Sequence, residues 1–109
     1  MANESLKKEE RLFLYLVSTF KTSAIVALGE MENPMTNKKD LNLEQASYYI
    51  DLLDMLQSKA SGNMSEYEEQ MLINTVSELR MALIKKKTAL DLVKKAGEDT
   101  SSSSFEREQ

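Results

Sequence analysis

An all-α fold of three helices is predicted by three observations. Breakers are scarce, with 3 Gly and 1 Pro in 109 residues, so long helices are expected. Between the breakers, apolar residues recur at three- and four-residue steps, the period of a helix face. The few turn residues, Gly29, Pro34, Gly62 and Ser65, fall where one helix would stop and the next begin. A chain of this length is expected to make one domain with one modest core, burying roughly 60–70% of its unfolded surface. That domain spans residues 1–96, with a tail at 97–109.

Helix 1 is expected from about Ser5 to Leu28. Leu6, Phe13, Leu16, Val17, Phe20, Ala24, Ala27 and Leu28 mark one face, and Gly29 is placed as a left-handed stop. The remainder of the cylinder is unusual. Leu12, Leu14, Tyr15, Ile25 and Val26 lie off that face, and Lys21 is the only charge between Leu12 and Gly29. An amphipathic surface helix should have a charged back, and this one is nearly bare. The same stretch is not expected to span a membrane. It holds Lys21 mid-span beside Ser18, Thr19, Thr22 and Ser23, and a central Lys costs about 3 kcal/mol on insertion. With most of this surface to cover, helix 1 is expected at the centre of the bundle.

Glu30–Leu41 is the longest internal loop. Pro34 pushes Asn33 out of the helical region, and Asn37 suits a turn. A dozen residues is long for a helix–helix connection, so the loop either packs over a helix or has a function.

Helix 2 is expected from about Leu43 to Ala60, opened by Asn42 with Gln45 and closed by Gly62. Leu43, Ala46, Tyr49, Ile50, Leu53, Leu56 and Ala60 form its main stripe. Tyr48, Leu52 and Met55 form a second strip to one side. A short Gly62-Asn63-Met64-Ser65 connector leads into helix 3, with Ser65 and Glu68 as a capping box. So sharp a turn predicts that helices 2 and 3 form an antiparallel hairpin.

Helix 3 is expected over Glu66–Ala96. Leu72, Val76, Leu79, Leu83, Leu90 and Val93 make a heptad seam, with Lys86 standing at the one defective place. Such a helix reaches roughly 45 Å, so its last turns should project beyond the other two. The tail, with four consecutive Ser and scattered charge, reads as disordered.

With the elements in place, the residues resemble a small bacterial family known as domain of unknown function 1844. The likeness runs from about Leu12 to Leu83. It rests on Leu28-Gly29, Asn33-Pro34 with Thr36, Ala46, and Ile50-Asp51-Leu52-Leu53 followed by Met55-Leu56. It continues through Lys59, Gly62-Asn63-Met64-Ser65, Glu68 and Leu79-Arg80. Ala60 stands where the family has Thr, and Met64 where it has Leu; both changes leave the turn intact. The resemblance implies an all-helical fold and no assigned activity, substrate or cofactor, so it transfers no catalytic residue.

Composition narrows the chemistry independently. There is no His, no Cys and no Trp, hence no imidazole base, thiolate nucleophile or Cys/His metal site. The absence of disulfides fits a reducing cytoplasm, the compartment expected here. Asp51 and Asp54, three apart on helix 2, are the best carboxylate pair. They suit either a divalent cation or, more simply, a structural ion pair with Arg80, whose fork matches a carboxylate, or with Lys59. Serines have no base to activate them. We therefore expect no enzyme and no cofactor.

The net charge of −4 is unevenly placed. The segment Gly97–Gln109 carries −3 and residues 1–96 only −1, giving no whole-domain reason to expect nucleic acid. Locally, Arg80–Lys95 holds six cations against Asp91. This is a solvated helix end by default, or an arm for anionic lipid or nucleic acid.

Apolar surface in excess of what three helices can cover predicts a self-associating interaction protein, most simply a two-fold homodimer. The candidate interface residues are Leu14, Tyr15, Ile25 and Val26 on helix 1, Tyr48, Leu52 and Met55 on helix 2, and Leu90 and Val93 on helix 3. An adaptor that docks a partner helix on the Tyr48/Leu52/Met55 strip is the alternative. A carboxylate-dependent metal hydrolase is a third and weaker one.

Overall fold

The computed structural model describes the backbone of residues 7–101 and the side chains of residues 7–96. Three helices make the fold: α1 (Lys8–Ala27), α2 (Leu43–Lys59) and α3 (Glu66–Ser101). No strand occurs among the described residues; two isolated bridges lie in the loop after α1.

Each boundary has a local cause. At the start of α1 the Lys7 N–H donates to Glu10 Oε1 at 3.2 Å. Ser5 and Leu6, expected within this helix, lie outside the described residues. Its end is a Schellman turn. Gly29 sits at φ +78°, its N–H donates to Val26 O, and the Glu30 N–H reaches back to Ile25 O. Asn42 caps α2 by accepting the Gln45 N–H at 3.0 Å. Gly62, at φ +87°, reverses the chain after α2. The capping box then opens α3: the Ser65 N–H donates to Glu68 Oε1 at 2.7 Å and the Glu68 N–H to Ser65 Oγ at 3.1 Å.

The long loop is closed upon itself. Leu28 and Leu41 pair as one antiparallel bridge and Asn33 and Lys38 as another. The Asn42 N–H donates to Ala27 O at 2.7 Å, tying the start of α2 to the end of α1. At the tip the Asn33 side chain accepts the Met35 N–H at 2.8 Å, and Asn37 takes φ +58°. The loop is thus a narrow clasp that sets α1 and α2 antiparallel.

The core is Val17, Ala24, Ala27 and Leu28 from α1 and its end, Ala46, Ile50 and Leu53 from α2, and Leu72, Val76, Leu79 and Leu83 from α3. Three of these are alanines on the facing sides of α1 and α2, which lets the two helices approach closely. Their pairing is the most extensive in the fold, and α2 is the helix that packs well against both others. The expectation of a central helix 1 is corrected accordingly: the clasp and the Gly62 turn make α2 the middle element. Leu16, assigned to the buried face of helix 1, is instead 41% exposed, because α3 covers the opposite side of the α1–α2 pair.

α3 outlasts its partners. Its seam is buried from Leu72 to Leu83, whereas Leu90 and Val93 are exposed, as is every described residue from Lys87 to Ala96. The helix continues past the expected Ala96 boundary to Ser101. The disorder expected of the tail beyond that point falls on residues 102–109, outside the described residues. The overhang explains the extents of 66 × 31 × 17 Å and a radius of gyration of 18.6 Å, against about 13 Å for a compact chain of this length.

Candidate interaction surface

Carboxylate chemistry is the first candidate to place. Arg80 Nη2 lies 3.2 Å from Asp51 Oδ1 and 3.0 Å from Asp54 Oδ2. One guanidinium on α3 thus holds both acids of α2. The Arg80 pKa is raised, chiefly by the hydrogen bond to Asp54, with Asp51 adding to it against partial desolvation. The three side chains are 40–65% exposed, so the arrangement is a surface strap worth at most about 1 kcal/mol. Among the described residues no group of three or more acidic side chains is placed to hold a metal ion.

A second ion pair marks the end of the helical body. Lys86 Nζ lies 2.8 Å from Glu30 Oε2, and this contact holds the Glu30 carboxyl below its ordinary range. Lys86 is the residue at the defective place of the α3 seam. It leaves the heptad core to fasten α3 to the clasp.

The expected interface residues separate into groups. The Phe20 and Tyr49 rings meet tilted at 32° with centroids 6.3 Å apart, and Ser23, Val26, Gln45 and Tyr49 line one pocket with Pro34. These contacts fix which edges of α1 and α2 meet. At 100° per residue, Leu12, Leu16, Thr19 and Ser23 continue that edge of α1 outward, away from α3. Tyr48 and Leu52 do the same on α2, with Met55 and Tyr15 beside them. The result is one outward face across two helices. Tyr15 is 74%, Tyr48 62% and Met55 46% exposed there, alongside exposed Leu12. From Leu12 to Val26 its α1 positions carry no charge; on α2 it is bordered by Glu44, Asp51 and Lys59, all exposed. Tyr15, Val26, Tyr48, Leu52 and Met55 therefore lie on the same side of the α1–α2 pair.

Other residues go elsewhere. Ile25 faces α3 across a groove of about 660 Å³ lined also by Leu28, Met81, Ala82 and Lys85. Leu14 is half-buried. Leu90 and Val93 sit on the overhang, remote from the α1–α2 face. Sequence reasoning missed Met81 and Ile84, both more than half exposed. The signal was available, since they fall off the heptad seam yet are large and apolar.

No helix among the described residues is long and apolar enough to cross a membrane. The family model described as Domain of unknown function (DUF1844) matches residues 10–85, well over half of the chain, and its span ends where α3 leaves the body. No curated protein and no solved structure matches.

Proposed function

The chain belongs to the DUF1844 family, and from that premise we propose that it is a non-catalytic helical interaction module that pairs with a second copy of itself. The observation that carries this reading is the α1–α2 outer face. It presents Leu12, Tyr15, Tyr48 and Met55 to solvent, with the charges of α2 on this side confined to Glu44, Asp51 and Lys59 around them. An apolar face of this kind, rimmed by polar residues, marks an association surface. Tyr supplies large area at low entropy cost, and Met adapts to the opposing surface. A two-fold axis through this face would stack two antiparallel helix pairs into a four-helix core with α3 on either flank.

The lack of His and Cys, and the occupation of Asp51 and Asp54 by Arg80, support a non-catalytic role. The test is mass in solution by light scattering over a concentration series. The native chain is expected to self-associate, and a Tyr15→Glu, Met55→Glu variant to fall to a smaller mass with unchanged helicity as pairing through this face is lost. A native monomer would end this reading. The same face also fits an amphipathic helix of another protein; a native monomer that captures such a helix would favour that adaptor role.

A further inference from the structure

We propose that α3 carries a second self-pairing surface, on which two copies lie antiparallel with Glu78 of one opposite the partner's Lys85. The inference rests on the self-association reading but uses residues apart from the α1–α2 face.

One side of α3 is turned away from the core. Tyr67, Gln70, Asn74, Ser77, Met81, Ile84 and Thr88 fall at alternating three- and four-residue steps, and all seven are exposed. This is a heptad stripe. Not one of its positions is charged over 22 residues, although the exposed side of a surface helix is ordinarily its charged side. Its two large aliphatic residues, Met81 and Ile84, are 59% and 58% exposed.

Charge along α3 supplies the partner and the direction. Glu66–Leu79 contains four acids and no base, while Arg80–Lys95 carries a net +5. Two α3 helices laid parallel would set acid on acid and lysine on lysine. Laid antiparallel, each acidic half meets a basic half, so a second copy of this chain is the complementary surface. The flanking residues fix the register. Glu78 and Lys85 are seven apart on the same edge of the stripe, and neither makes an ion pair or side-chain hydrogen bond among the described residues. A two-fold axis beside Met81 brings each Glu78 to the other chain's Lys85, making two equivalent pairs at once. It also sets Met71, which is partly buried against the core, beside the partner's Leu92, an exposed residue of the overhang. The Ile25/Leu28/Ala82 groove borders the same edge and receives the partner's Met81.

The experiment compares the full chain with Glu78→Lys, Lys85→Glu and the double exchange, by sedimentation at low and high salt. Circular dichroism checks that these exposed substitutions leave helicity intact. Each single exchange puts like charges opposite each other twice and should weaken self-association about tenfold. The double exchange restores the pairing and should bring it back to within about threefold of the native value. A Met81→Cys variant, the only cysteine in the chain, should cross-link to a covalent dimer under mild oxidation. Single exchanges without effect, a double exchange no better than the singles, or no cross-link would each overturn the α3 pairing. If the native chain associates and responds only to Tyr15→Glu, Met55→Glu, the α3 proposal alone falls. A native chain that is monomeric throughout overturns both.

Discussion

Gly29 holds a left-handed conformation at the one point where α1 must turn into the clasp. A Cβ there would meet Leu41 at 3.7 Å, an ordinary contact, so space is not the issue. The strain of positive φ is, and Gly29→Ala should lower the unfolding free energy by about 1 kcal/mol in urea titrations. Ser65→Ala removes the acceptor for the Glu68 N–H and leaves a nearly buried carboxylate with half of its capping box. It should cost about 1–2 kcal/mol by the same measurement. The Glu30–Lys86 pair makes a prediction in pH. Because Lys86 lowers the Glu30 pKa, the stability it adds is present above the ordinary carboxylate range and is lost as pH falls through the lowered value. Lys86→Ala should return the Glu30 titration, followed by NMR, to the ordinary range; an unmoved titration would exclude the contact in solution. These caps and stops were legible from single residues, because Gly, Asn and Ser at helix ends act through their own backbone. The Lys86 contact was not, since its acid lies on a loop 56 positions earlier in the chain.

At the level of elements, the periodicity located all three helices, and the start of α3 at Glu66 and of α2 at Leu43 agree with it. What periodicity does not contain is which helix sits in the middle. Helix 1 has the most apolar surface, and that suggested the centre. The structure puts α2 there, because the clasp and the Gly62 turn both bring neighbours to it. The surplus apolar surface of α1 then becomes exterior, with Leu16 as the residue that changes sides. The heptad seam of α3 likewise gave no hint of where burial ends. Burial stops at Leu83, where α1 and the clasp run out, and the sequence pattern continues regardless. Amide hydrogen exchange should record this boundary. Protection is expected to be highest over Leu72–Leu83 and to fall steeply past Lys87 in the monomeric form of the protein. Uniform protection along α3 would show that the overhang is covered.

For the molecule as a whole, a core built from few large residues leaves little reserve. Leu53→Ala, at a fully buried position on the middle helix, should cost about 2–5 kcal/mol, enough to threaten a domain of this size. Tyr15→Glu should leave thermal stability of the monomer almost unaltered while weakening pairing through the α1–α2 face, a contrast that separates folding from association. The candidate surface was partly legible: Tyr15, Tyr48, Leu52 and Met55 stood out as apolar residues off their helix stripes. Their assembly into one face depends on the α1–α2 contact edges, which only the fold reveals. The overhang of α3 has a mechanical meaning as well. Beyond the Lys86 tether the helix is a rigid arm, and ten residues to Ala96 make it about 15 Å long. Any displacement where the helix leaves the body is therefore magnified at its tip. The molecule is built as a compact block with a lever attached.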